Sequence, residues 1–501
     1  MMVQALFLLC LLVWLPILFH QITNRGFQVL ILWLLIAPIA INVMQRPNRN
    51  PFFRVSGSPE PLLVTNEQKD VPLGMRQSGY FSSSVSFSWK DVVEPTRLLL
   101  FTFFLLFLLE SRNGKSWIPL DKTEMWMGIF SLVLMLNVFL FTRRYTYGIR
   151  VAIDAFMVPF LAYYTMRRFI VSEVQLRLFT KMFCFLGSYL IILALAEKLA
   201  LSGFSVNSFY RVKGPFDHRD LLYIVLVVVF MVVLSEISTG QFRLPDNSTF
   251  LRYARWFVTA LAPLIIFFTW TRGNWLGFLS GTWIFFFLGR RLLPFSRKLI
   301  CISLILLMAP VALLGLQAAL TEDVLENRVA KTSTFFARLA SWNILVEETL
   351  QQPIFGIGLN NSRDVLQHRR LSQYADVKSL TTPHNGFLAI FAELGIVGLV
   401  AYAAIIICMA RLGLRLYRSG TSVQARWGGI AILAILVAYY MPVLTENILH
   451  APELSHVYVF GCVGGIVGCY AKTLPRPMPR TSIPTYAPRR AMPQEEMVGD
   501  R

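Results

Sequence analysis

Two arginines and a histidine interrupt long apolar runs in ways that suggest chemistry. They are Arg272 in Thr271-Arg272-Gly273-Asn274, Arg338 in Phe335-Phe336-Ala337-Arg338-Leu339-Ala340-Ser341-Trp342, and His384 in Pro383-His384-Asn385-Gly386. A guanidinium is a planar fork that pairs bidentately with phosphate oxygens, so Arg272 and Arg338 on one side of a membrane would suit a diphosphate. His384 falls where a new apolar helix begins, and the positive end of that helix disfavours a second positive charge. A neutral imidazole there can accept a proton, as a general base acting on a sugar hydroxyl must. Plainer roles compete: His384 and Asn385 as helix caps, and Arg272 as an interfacial anchor.

Secondary candidates lie in the stretch 210–220, where Arg211 and Lys213 could also contact an anionic substrate. Asp217 and His218 in the same stretch are too few for a metal site, and no metal is expected. Asp154, Glu197 and Glu393 fall inside apolar runs, where a charge is costly without a partner or cavity. The sequence contains no phosphate-cradling Walker loop, dinucleotide fingerprint or Gly-x-Ser-x-Gly elbow. No cofactor is therefore expected, and the energy for any reaction must arrive with the substrate. A glycan linked to a lipid diphosphate meets that condition, because its leaving group is a stable diphosphate.

Membrane spans must position these residues. The chain has 501 residues, 55% of them hydrophobic, and a mean hydropathy of +0.56, too apolar for soluble cores of this size. Apolar runs able to cross a hydrocarbon core recur near 4–20, 27–44, 96–110, 125–142, 148–166, 180–201, 220–237, 255–270, 274–289, 298–318, 387–411, 426–444 and 455–472. The expected fold class is an all-α polytopic membrane protein of about 12–14 helices. The first run has no basic n-region or cleavage site and reads as a retained span, while the six cysteines fall inside spans. The formal charge of +19 is concentrated in short loops such as Arg290, Arg291, Arg297 and Lys298, which marks cytoplasmic anchors and not nucleic-acid binding.

By charge and parity, the long segment between two late spans lies outside the cytoplasm, with Arg272 and Arg211 on the same side. Within it, Ser333 or Thr334 can cap a helix that runs to about Gln352, where Pro353 and the Gly356-Ile357-Gly358 turn stop it. Arg338, Trp342 and Leu345 then share one face. The chain divides into an N-terminal bundle, 1–250, with a polar loop at 45–95; a core, 251–414, holding the outer loop 319–386; C-terminal helices, 415–472; and a basic tail, 473–501.

The ordered set Thr271-Arg272-Gly273, Arg338 with Trp342, Pro353 with Gly356 and Gly358, His384-Asn385-Gly386, and Glu393-Leu394-Gly395-Ile396-Val397-Gly398-Leu399 resembles the O-antigen ligase and O-antigen polymerase superfamily of bacterial envelope proteins. The resemblance is clearest from about Leu251 to Leu414. It implies a GT-C-like, metal-independent, inverting glycosyltransferase in the bacterial inner membrane, with its active site facing the periplasm. The implied donor is an undecaprenyl-diphosphate-linked glycan and the acceptor a second glycan or a lipid. Polysaccharide export or chain-length proteins are further candidate partners. Arg272 and Arg338 match the family's diphosphate-associated arginines, and His384 matches its acceptor-activating histidine. The leading expectation is a polymerase of carrier-linked repeats for a surface polysaccharide or exopolysaccharide. A ligase is the alternative within the family, and an anion or lipid-linked-glycan transporter the alternative outside it.

Overall fold

The computed structural model describes residues 120–143, 145–198, 212, 219–240, 249–269, 271–293, 333–373, 382–446, 448–450, 455–471 and 474. The expected spans 4–20, 27–44, 96–110 and 298–318, the loop 45–95 and the tail beyond Leu474 lie outside these residues. So do Arg211, Lys213, Asp217, His218 and the side chain of Glu197.

Every described regular element is helical: α1 (Lys122–Phe141), α2 (Tyr145–Val151), a π-helical turn (Ala152–Met157), α3 (Val158–Phe169), α4 (Glu173–Lys198), α5 (Arg219–Thr239), α6 (Thr249–Phe268), α7 (Arg272–Gly289), α8 (Ser333–Gln351), α9 (Ser362–Gln373), α10 (Gly386–Ser419), α11 (Val423–Val443), a 3-10 turn (Ile448–His450) and α12 (Ser455–Tyr470). Seven described helical stretches are long and apolar enough to cross a membrane, and α12 is a shorter apolar helix. The protein is a polytopic all-α membrane protein, as its hydropathy predicts. Helices satisfy every backbone hydrogen bond within one segment, which lipid requires.

α5 is the central helix, with its apolar side chains buried from Leu221 to Leu234. A helix apolar all round belongs inside a bundle. Small residues set the tightest helix contacts. α7 runs antiparallel along α11, with Gly273 against Thr445 and Pro442, and Gly277 and Gly281 against Ala438. Lipid supplies no hydrophobic drive between helices, so close backbone approach and the dispersion contacts it permits hold them together.

Charges inside the bundle are paired. At the end of the bundle away from His384, Arg255 grips Glu236 through two bonds of 2.8 and 2.9 Å. Glu124 of α1 takes both Arg167, at 2.6 Å, and Arg168 of α3. Asp154 lies 3.7 Å from Arg150, one helical turn earlier.

At the other end α10 departs from expectation. It extends to Ser419, beyond the expected 411, and is broken at Gly395, whose φ of 64° and ψ of −165° are not helical. The run Glu393-Leu394-Gly395-Ile396 reads as continuous apolar helix, but the turn after α8 inserts at this joint. Ile357 and Gly358 N–H donate to Ala392 and Glu393 C=O, while Ile396 N–H donates to Pro353 C=O. Gly356, at φ 73°, and Gly395 face each other so closely that a Cβ on either would meet the other's backbone. Asn137 of α1 seals the joint, with its amide donating to Phe355 and Glu393 C=O and its oxygen accepting from Leu359 N–H.

Glu393 finds its partner here. Its carboxylate accepts from the Ser362 hydroxyl at the start of α9, a helix not expected from the sequence. Ile344, Leu345, Leu366 and Ala392 form a second small core beneath α8 and α9. α8 thus lies on the bundle as its Arg338, Trp342 and Leu345 face predicts.

Candidate active site

His384 stands in the short segment leading into α10. Its φ of 46° is in the left-handed region, which few non-glycine residues adopt. Capping is done next door. Asn385 is extended at φ −157°, and its side-chain oxygen accepts from Phe387 N–H at 3.1 Å and Leu388 N–H at 3.0 Å. Asn385 thus caps two of the first-turn amides, and the histidine ring takes another partner.

That partner is Glu446. His384 Nδ1 lies 3.0 Å from Glu446 Oε2, and Arg338 Nη2 donates to Glu446 Oε1 at 3.2 Å. One carboxylate therefore joins the arginine of the outer helix to the histidine before α10. Trp342, one turn after Arg338, donates its indole N–H to Pro383 C=O at 2.6 Å and pins α8 over the same segment. The Arg338 and His384 side chains are each 33% exposed and Glu446 is 15% exposed, so the cluster is held from within yet open to a ligand.

Glu446 is placed by the end of α11. Pro442 C=O accepts from both Thr445 and Glu446 N–H, which folds the chain into a tight turn. The following 3-10 turn is tied down from below. His456 Nε2 lies 3.1 Å from Ile448 C=O, and its Nδ1 lies 2.8 Å from the Tyr439 hydroxyl. Nε2–H donates to the carbonyl, and the Tyr439 contact holds the other ring nitrogen, so the imidazole bridges the end of α11 and the 3-10 turn.

Arg272 is the first residue of α7, and the end of a helix at which it stands favours an anion. Its neighbour Gly273 packs on Thr445, the residue before Glu446. The turn that presents Arg272 is braced: Asn274 donates to Asp220 at 2.8 Å, and Trp275 stacks on Phe267 with ring centroids 4.7 Å apart. Val212 N–H donates to Phe268 C=O at 3.1 Å, which ties Val212 to this end of the bundle.

Of Arg272, Arg338 and His384, which the sequence singles out, the fold joins Arg338 and His384 on Glu446, and it packs Gly273, next to Arg272, against Thr445 and Pro442. Glu446 was missed, since it reads as a lone acid at the end of an apolar run. The usable signal was its position: an acid in the short 444–454 turn, on the same expected side as two unpaired bases.

The arrangement has a definite chemical capacity. A carboxylate on Nδ1–H fixes the tautomer and leaves Nε2 as the lone-pair nitrogen, while offsetting the charge the ring gains on taking a proton. Glu446 engages one guanidinium nitrogen of Arg338, and the fork has further donors for a second anion.

Residues 257–403 match a protein-family model described as O-Antigen ligase. This interval contains Arg272, Arg338 and His384 and ends before Glu446. The chain is 31% identical over 139 residues to a protein of Rickettsia conorii, and 30% identical over 139 residues to one of Rickettsia felis. The names of both mark them as candidate polysaccharide ligases. Each alignment covers 26% of this chain and 33% of the relative, so the chain spans about a third of the length of the curated relatives it matches.

Proposed function

We propose, from the premise that the chain carries an O-antigen ligase family segment at 257–403, that this membrane protein is a glycosyltransferase. It moves a glycan from a lipid-diphosphate carrier to a separate acceptor at the membrane face bearing His384. The single observation that carries the reading is the Arg338–Glu446–His384 cluster, with Gly273, the neighbour of Arg272, packed on the same turn. The family description and both relatives' names speak of ligases, which favours the ligase reading over the polymerase of carrier-linked repeats. The undecaprenyl carrier and the periplasmic face of the inner membrane are part of the proposal, and both follow from the family resemblance.

The steps balance without any further reagent. His384 Nε2 takes the proton from the acceptor hydroxyl as that oxygen bonds to the anomeric carbon of the donor sugar. The bond from that carbon to the bridging phosphate oxygen breaks, and its electron pair leaves with the carrier diphosphate. Arg338 and Arg272 stabilise the charge that develops on the departing group. A single displacement of this kind inverts the anomeric centre. Glu446 is a positioning residue, which holds the imidazole and Arg338 in register. α8, pinned by Trp342, covers the site and limits attack by water.

A double-mutant cycle on purified protein tests the cluster as a unit. His384→Ala is expected to lower turnover by about 10²–10⁴-fold, the range for loss of a general base. Glu446→Gln should lower it less, and the losses in the double variant should be less than multiplicative, because the carboxylate acts in part through the ring. Multiplicative losses would mean that the two residues act independently.

A further inference from the structure

We infer that the stretch from Leu350 to Phe355, at the C-terminal end of α8, is sunk in the bilayer interface of the leaflet on the His384 side. The helix that carries Arg338 is thus anchored in lipid and does not stand free in solvent. Leu350 is 64% exposed, Ile354 55% and Phe355 51%, three large apolar side chains within six residues that solvent would not favour. Its place in the fold identifies what covers it. The turn is hydrogen-bonded into the α10 joint, through Pro353 C=O to Ile396 N–H. Phe355 also stacks on Phe141, the last residue of α1, with ring centroids 5.9 Å apart.

Both neighbours lead into lipid-facing stripes. α1 exposes Leu132, Leu136, Phe139 and Leu140, and α10 exposes Ile396, Val400 and Ile407. α10 continues from the joint as a helix to Ser419. α1 is an apolar helix long enough to cross a membrane, and it ends at Phe141 against Phe355. The Leu350–Phe355 patch therefore sits at the end of a span, beside that span's exposed apolar stripe. α8 itself has the matching asymmetry: Val346 and Leu350 line one exposed edge, while Asn343, Glu347 and Gln351 line the other. A helix lying in the interface needs that division. The inference holds whether or not the site transfers glycan.

The test uses the full chain in vesicles of phosphatidylethanolamine and phosphatidylglycerol, with Ile354→Cys, Leu350→Cys or Glu347→Cys. Labelling by a charged, membrane-impermeant maleimide is measured and the parent protein's own labelling subtracted. Because the three positions lie at one end of the bundle, vesicle orientation affects them alike. Ile354→Cys and Leu350→Cys are expected to label several-fold more slowly than Glu347→Cys. A bimane at position 354 should be quenched by acyl-chain-brominated lipid and spared by aqueous iodide. If the Ile354 variant fails to insert, Leu350→Cys carries both readouts. Equal labelling at the three sites, or iodide quenching without bromine quenching, overturns the anchor.

Discussion

His384 and Asn385 are adjacent, yet the fold gives them different work, and this separation can be measured. Asn385 satisfies two backbone amides of α10, whereas His384 adopts a left-handed backbone and faces Glu446. Losing the cap should cost about 0.5–2 kcal/mol of stability. Asn385→Ala is accordingly expected to lower the melting temperature of the purified protein while leaving measurable turnover. His384→Ala should do the reverse, keeping the melting temperature and losing activity. The same pattern in both variants would assign His384 to structure. At this scale the sequence was legible wherever a charged residue stood against its surroundings, as Arg272, Arg338 and His384 do in apolar stretches. It was silent where function depended on a distant pairing. Glu446 lies 62 residues from His384 and 108 from Arg338, and no local pattern joins them.

Among the elements, the lock between the turn after α8 and the break in α10 decides where the site residues sit. Pro353, Gly356 and Gly358 were read as helix-stopping residues, which they are, but their main role is to fit the chain into the α10 joint. Gly395 was hidden because an apolar run with glycines reads as an ordinary membrane helix; only its φ of 64° exposes the break. A side chain at that position meets Ile354 backbone and must also adopt a left-handed conformation. Strain of that kind costs on the order of 1–3 kcal/mol before the clash is added. Gly395→Ala is expected to lower the melting temperature and to expose the 352–361 loop to protease, with α8 and Arg338 displaced. Unchanged protease resistance would show that the lock does not set the position of α8. Glu393 belongs to the same lock through Ser362. Hydropathy marked it as costly to bury but could not supply a partner 31 residues away.

Considered as a whole molecule, the bundle keeps its two ends chemically distinct. One end holds closed ion pairs: Arg255 with Glu236, and Glu124 with Arg167 and Arg168. The other presents partly exposed Arg338 and His384 on a shared Glu446, with Arg272 opening α7 beside the same turn. Hydropathy made the described spans legible because lipid admits only long apolar helices. Charge asymmetry between loops gave the expected sidedness. Side-to-side packing was not legible, since it depends on single glycines such as Gly273 against Thr445. That contact sets the start of α7, where Arg272 stands, against the turn before Glu446. If the open end is where a glycosidic bond is made, product analysis tests it most directly. The protein is reconstituted in vesicles with a lipid-diphosphate-linked glycan and a separate lipid acceptor. The expected product is glycan covalently joined to the acceptor, with release of the carrier diphosphate. Donor that crosses the bilayer with no new bond formed, or carrier-linked chains that lengthen while the acceptor stays bare, would contradict it.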